Sequence, residues 1–243
     1  MDLKGKSVLV TGGGTGIGRG IALAFAQEGC RVAVSGRRSE KLGETASLWT
    51  GEPPILSCEA DVTNRKSVER LFAWASATLG PLDILVLSAG SNIRHRSMAE
   101  IDPGDWDRML QINATGAFNC IHAALPRMRE RRAGLIINIS SVAGKRASLL
   151  SGVAYNASKF AATALGTSVG LEEGNNGIRV TNIYPGEVNT PILDERPQPV
   201  SEEHRARILQ PEDIALAAVM VARLPPRAHI PELVIKPTHQ PYA

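Results

Sequence analysis

Aromatic side chains are scarce in this chain: phenylalanine, tryptophan and tyrosine together make up 4% of its 243 residues. A core built on ring stacks is thereby excluded, and the 43% apolar content falls to Val, Ile, Leu and Ala, as in a sheet wrapped by helices. Cysteine is scarcer still. Cys30, Cys58 and Cys120 are widely spaced in apolar stretches and read as core residues of a reducing compartment. The five histidines, at 95, 122, 204, 229 and 239, show no ligand spacing, so no metal site is expected. No secretory apolar segment stands at the N-terminus, and the longest apolar stretch, Ile214 to Val221, is too short to span a bilayer. The net charge of +3 is small and dispersed, which argues against a nucleic-acid or anionic membrane surface. The densest basic run, Arg127, Arg129, Arg131 and Arg132, falls at a helix end before Gly134, where solvation and the helix dipole account for it. The expectation is a soluble, cytoplasmic protein with no membrane or nucleic-acid partner.

What is present is a regular alternation. Strand-like apolar runs occupy 7–11, 31–35, 55–60, 83–87, 135–140, 178–184 and 232–236, and helical patterns fall between them at 17–28, 39–48, 64–79, 105–131, 154–173 and 212–224. Such alternation over 1–243 predicts one α/β domain: a single doubly wound parallel sheet of about seven strands, helices on both faces and the ligand at the carboxyl ends of the strands. One irregular stretch, 186–210, carries Pro191, Pro197 and Pro199. Its length suits a flap over a site, at about 187–210.

Three local patterns carry chemistry. The first strand runs into Gly12-Gly13-Gly14-Thr15-Gly16-Ile17-Gly18 and then directly into a helical pattern. Glycines there allow a sharp turn and close approach to a pyrophosphate, with the free N–H groups and positive end of a helix behind it. About 20 residues on, where an NAD-preferring site places an acid for the ribose 2′-hydroxyl, the sequence reads Ser35-Gly36-Arg37-Arg38. No carboxylate repels a 2′-phosphate and two guanidinium groups can pair with one, so NADPH is the expected cofactor. Finally, Tyr155 and Lys159 stand four apart, on one helix face. A Lys⁺ about 4 Å from a phenol oxygen contributes roughly 4 kcal/mol at an effective dielectric of about 20, enough to draw the phenol toward neutrality as a general acid.

With these features in place the chain resembles the short-chain dehydrogenase/reductase family over essentially its full length. The T-G-x-x-x-G-x-G pattern is met by Thr11, Gly12, Gly16 and Gly18. Asp61-Val62 matches the pair that contacts adenine. Ser88-Ala89-Gly90 stands where the family usually has Asn-Ala-Gly, Asn113 matches the family asparagine, and Ser140-Ser141-Val142-Ala143-Gly144 sets the catalytic serine at Ser141. Pro185-Gly186, Val188 and Thr190 match the segment that embraces the nicotinamide. The resemblance implies a Rossmann fold and hydride transfer between nicotinamide and a small-molecule carbonyl or hydroxyl. Ser141 is expected to stabilise the developing alkoxide and Tyr155 to donate the proton. Lys159 is expected to lower the phenol's pKa and hold the nicotinamide ribose, and Asn113 to anchor a water that resupplies the proton.

Substrate signals are thinner. The tail Ile235-Lys236-Pro237-Thr238-His239-Gln240-Pro241-Tyr242-Ala243 is similar to that of the branch oxidising serine and other 3-hydroxy acids, which points to a 3-oxo or 3-hydroxy acid. A 3-oxoacyl-acyl-carrier-protein reductase is the enzymatic alternative. A non-catalytic NADP-binding regulator is the other, and the intact Ser141, Tyr155 and Lys159 speak against it. The helices at 105–131 and 154–173 have more apolar positions than one sheet face covers, and similar family members pair them across two-fold axes, so a homotetramer is expected, with a dimer as the fallback. Leu233-Val234-Ile235 would contribute to a second interface.

The cofactor reading is tested by titrating both nicotinamide coenzymes. NADPH should bind more tightly than NADH, and Arg37→Asp should flatten or reverse that order by setting a carboxylate against the 2′-phosphate; equal affinities in the unaltered protein would overturn it.

Overall fold

The computed structural model describes residues 1–240; Pro241, Tyr242 and Ala243 of the tail motif lie outside the described residues. Seven parallel strands form one sheet in the order β3-β2-β1-β4-β5-β6-β7. They are β1 (Ser7–Thr11), β2 (Arg31–Gly36), β3 (Leu56–Glu59), β4 (Ile84–Leu87), β5 (Gly134–Ile139), β6 (Ile178–Pro185) and β7 (Glu232–Ile235). Helices α1 (Gly16–Gln27), α2 (Ser39–Ser47), α3 (Arg65–Leu79), α4 (Pro103–Leu110), α5 (Gly116–Arg131), α6 (Val153–Glu173), α7 (Glu202–Arg207) and α8 (Pro211–Arg223) complete the chain. The expected doubly wound α/β architecture is therefore present, with strand limits shifted by a residue or so at most ends.

Continuous apolar strands are buried on both faces, and their two-residue period divides the core in two. Val8, Val10, Val32, Val34, Val86 and Ile137 point to a layer that includes Ile21 and Phe25 of α1 and Ile214 and Ala218 of α8. Leu9, Ala33, Leu85, Leu87 and Ile136 point the other way, onto Val68 and Leu71 of α3 and Cys120, Ile121 and Ala124 of α5. Cys30 and Cys120 lie in these cores, where burial pushes each thiol up to about 12. Cys58 departs from expectation: it is half-buried on the edge strand β3.

Two regions differ from what the sequence suggested. The helix expected at 105–131 starts at Pro103, where the Asp102 side chain accepts from Gly104 N–H, and is interrupted by a π-helical turn at Gln111–Thr115 that carries Asn113. Periodicity near 3.6 residues does not register one extra residue in a turn. The presumed loop at 187–210 holds a 3₁₀ turn at Pro191–Glu195 and the short α7, which Ser201 caps by accepting from His204 N–H. Its ends meet at a parallel bridge between Val188 and Leu209, so the stretch is a closed excursion anchored at its base.

The basic run at the end of α5 does more than face solvent. Arg129 grips the buried carboxylate of Glu173 on α6, with Nε 3.0 Å from each oxygen. Arg131 and Arg132 donate to the carbonyls of Leu82 and Asn175. Through Glu173 and Asn175 the run joins the far ends of α5 and α6; Asn113 lies in the π turn before α5, and Tyr155 and Lys159 lie near the start of α6. Among the described residues, no helix is long and apolar enough to cross a membrane, and no group of three metal-ligating side chains occurs.

Candidate active site

The strand order reverses at β1, which pairs with β2 on one edge and β4 on the other. Their carboxyl ends open into a cleft of about 570 Å³. Its floor is the glycine turn. Gly12 has φ +68°, and a Cβ there would lie 2.6 Å from the amide nitrogen of Ala89; a Cβ on Gly18 would run into the Gly12 carbonyl. The turn is braced from behind by Arg19 Nη2 to Gly14 O at 2.6 Å and by Thr45 Oγ1 to Gly13 O at 3.0 Å. Thr15, at the N-cap of α1, makes no side-chain cap, and the first turn holds no acid. The amide groups at that end remain available to an anion.

Gly12, Gly14, Thr15, Gly16 and Ile17 line this end of the cleft together with Arg37, Arg38, Asp61 and Val62. Lys41, not anticipated from sequence, adds a third cation beside the two arginines. The cradle fits a dinucleotide: backbone replaces side chains where a pyrophosphate would lie, and the cationic group stands at the end of β2, where a ribose phosphate would fall. Asp61 is held by its own turn, accepting from Thr63 N–H at 2.9 Å and Thr63 Oγ1 at 2.8 Å. Ser88, Ala89, Gly90, Pro185, Gly186, Val188 and Thr190 form the walls further along. Gly18 and Asn113 do not reach the cleft surface. Gly18 is packed under the turn, and the Asn113 side chain is buried behind Ser91, accepting from Ser91 N–H at 2.8 Å and donating to Ser91 O at 3.0 Å and Ser158 Oγ at 2.9 Å. That amide is thus a strut between the loop after β4 and α6.

Ser141, Tyr155 and Lys159 meet at the other end. Ser141 caps the 3₁₀ turn Val142–Gly144, accepting from Ala143 N–H at 3.1 Å, and lines the cleft together with Tyr155. Ser140 instead turns toward α6, with Oγ 3.2 Å from Lys159 O and 2.9 Å from Thr163 Oγ1. Lys159 Nζ lies 5.7 Å from the centre of the Tyr155 ring and donates to Ile139 O at 2.9 Å.

The electrostatics correct the expectation that Lys159 draws the phenol toward neutrality. Burial dominates and holds Tyr155 above the usual tyrosine value; the Ser141 hydroxyl and the charge of Arg96 pull it down without prevailing. Burial also lowers Lys159, to about 8, because desolvation disfavours whichever form is charged. The pair is therefore a protonated phenol beside a weakly basic amine.

Several lining residues were not singled out from sequence: Ser91, Asn92 and Arg96 in the loop after β4, Leu150 before α6, and Ile192, Leu193 and Arg196 in the excursion. Position at the carboxyl end of a strand is a signal for the first group, but Arg94, His95 and Arg96 are indistinguishable until burial selects Arg96. Gln240 also reaches the cleft, its side-chain carbonyl accepting from Glu187 N–H at 3.1 Å.

This arrangement of glycine turn, serine, tyrosine and lysine around one crevice defines a nucleotide-dependent dehydrogenase or reductase. The short chain dehydrogenase family model matches residues 6–200, and the chain belongs to that family. It is 36% identical, over 98% of its length, to glycine betaine reductase ATRR of Emericella nidulans, of which it spans only 19%. An oxidoreductase of Staphylococcus aureus strain MW2 is 33% identical, with 97% of this chain and 98% of that one covered. Among solved structures, a serine dehydrogenase in its closed form complexed with NADP⁺ superposes with a TM-score of 0.89 at 32% identity, covering 98% of this chain and 97% of that one.

The depressed lysine has a measurable consequence. Between about pH 8 and 10.5, the values for Lys159 in the fold and free of it, the unfolded chain holds more of this proton than the native one, so its contribution to stability rises with pH and is lost below about 8. Replacing it by methionine removes the buried charge. The stability difference between the unaltered protein and Lys159→Met, read by urea denaturation, should shift in favour of the unaltered protein as pH climbs through that window; a difference flat with pH would show that Lys159 is not depressed.

Proposed function

We propose that this protein is an NADPH-dependent oxidoreductase that interconverts a small carbonyl compound and its alcohol, with a 3-oxo or 3-hydroxy acid as substrate. The observation that carries the reading is that Ser141, Tyr155 and Lys159 line one end of a cleft whose other end is a glycine turn flanked by Arg37, Arg38 and Lys41. The likeness to serine dehydrogenase, a structure complexed with NADP⁺, supports both coenzyme and substrate class.

The turn Gly12–Gly18 and the N-terminus of α1 would hold the pyrophosphate, Arg37 and Arg38 the 2′-phosphate, and Asp61 and Val62 the adenine. Ser88 to Gly90 and the segment from Pro185 to Thr190 would frame the nicotinamide. When bound, that coenzyme supplies the hydride. Ser141 donates a hydrogen bond to the carbonyl oxygen, where negative charge develops. Tyr155, kept protonated by burial, delivers the proton. Lys159 would hold the nicotinamide ribose and return a proton to the phenol, a task suited to an amine lowered to about 8 by burial. Asn113 acts as a positioning residue by fixing Ser91 against Ser158. Assembly as a homotetramer completes the reading: Phe118 on α5 and Phe160 on α6 are both more than 40% exposed, an apolar surface that pairing of these helices would cover.

Two measurements test this. Tyr155→Phe retains the ring and deletes only the proton donor, so coenzyme binding should persist while NADPH-dependent carbonyl reduction falls roughly 10²–10⁴-fold; turnover equal to the unaltered protein would refute the mechanism. Light scattering at micromolar concentration should report four chains per particle, and a monomer would refute the assembly.

A further inference from the structure

Arg96 is the charged side chain that the reading above leaves without a task. It lies in the loop between β4 and α4, is 6% exposed, and lines the cleft beside Tyr155. Its backbone and stem are fixed: Arg96 O accepts from Val153 N–H at 3.2 Å, and its Cβ packs on Gly152, where φ is +81° and an added methyl would lie 2.5 Å away. The guanidinium bridges the two walls of the cleft, Nη1 donating to Leu150 O at 2.9 Å and Nη2 to Glu195 O. Both acceptors are neutral carbonyls. Nε is buried and has no partner, and Arg96 forms no ion pair among the described residues.

The charges that face it do not neutralise it. Arg196 repels it from the excursion and is itself engaged by Glu187 at 3.3 Å. Glu195 attracts it, but from an exposed position on the rim. The Tyr155 phenol also faces it across the cleft lining. A buried guanidinium ordinarily has an anionic partner, because desolvation without one is costly. Its planar fork matches a carboxylate.

We propose that Arg96 is the specificity-determining residue of the substrate site, binding the carboxylate of a short hydroxy or oxo acid and orienting its carbonyl toward Ser141 and Tyr155. This rests on the oxidoreductase reading and deepens it. Because Leu150 and Glu195 are held by the same guanidinium, the bound acid also sits where the two walls are joined.

The test separates binding from turnover. In the unaltered protein loaded with NADP⁺, NMR titration should show butanoate binding at least about 10-fold more tightly than its neutral isostere butanamide, and Arg96→Gln should abolish that preference. In steady-state oxidation, kcat/KM for 3-hydroxybutanoate should exceed that for its methyl ester by about 10- to 100-fold. In Arg96→Gln the loss for the acid should appear mainly in KM, with the ester nearly unchanged. Equal binding of butanoate and butanamide by the unaltered protein overturns the proposal, and this comparison needs no variant to fold. Equal losses for acid and ester in Arg96→Gln overturn it as well. Selective carboxylate binding without turnover of any carbonyl or alcohol would uphold the subsite while refuting the oxidoreductase function.

Discussion

β1 has β2 on one edge and β4 on the other, and since all seven strands run parallel, the chain must leave β1 in one direction and return for β4 from the opposite one. The right-handed crossovers that follow put α1 and α8 on one face and α3 and α5 on the other. The connections after β1 and β4 are thereby forced apart at their starting points, and the crevice between them is the cleft. The glycine turn is squeezed into its narrowest part. There, Gly12 abuts Ala89 and Gly18 abuts Gly12, so any side chain would separate the helix from the strand or close the floor on which a pyrophosphate would rest.

A second consequence of this layout is burial of the chemistry. Lys159 reaches the cleft from α6 through the core, its Nζ donating to Ile139 O, and Tyr155 lies one turn earlier on the same helix. Desolvation acts on both in opposite senses, raising the acid and lowering the base. Their proton affinities, nearly equal in free side chains, therefore move apart, and the phenol holds its proton more tightly than the amine. Attraction between the ammonium and the phenolate would need both to be charged in a place where neither charge is welcome. The helix that carries them is held at its other end by the Arg129–Glu173 pair and along its length by Asn138, which donates to Ala162 O at 3.0 Å and Asn182 Oδ1 at 2.8 Å. These polar contacts specify a register between α6 and the sheet that apolar packing alone leaves loose.

The substrate end depends on contacts between segments far apart in the chain. Arg96 joins the loop after β4 to Leu150 and Glu195. In the excursion beyond β6, Glu187 is held by Arg196 and by His204, whose Nε2 lies 2.6 Å from it. Gln240 closes the same region from the C-terminal side. Charges and carbonyls thus tie the walls of this end together.

The strands, their parallel arrangement, the glycine turn and the Tyr155–Lys159 pair were legible in the sequence, because each is written in local terms: a two-residue or 3.6-residue period, a run of glycines, or a four-residue spacing; Ser141 was legible only through the family resemblance. The arginines that replace the ribose-binding acid were legible for the same reason, since their place is counted from the turn. Three features were decided only by the tertiary structure. The π turn around Asn113 follows from Gly116 packing against Val62 and from the grip of Ser91 and Ser158 on the asparagine, none of which a helical period records. The direction of the Tyr155 and Lys159 shifts depends on how much water the fold removes, and a spacing of four residues carries no measure of that. Arg96 is one basic residue among several in its loop, and burial without a counter-charge, a property of three segments meeting in space, is what distinguishes it.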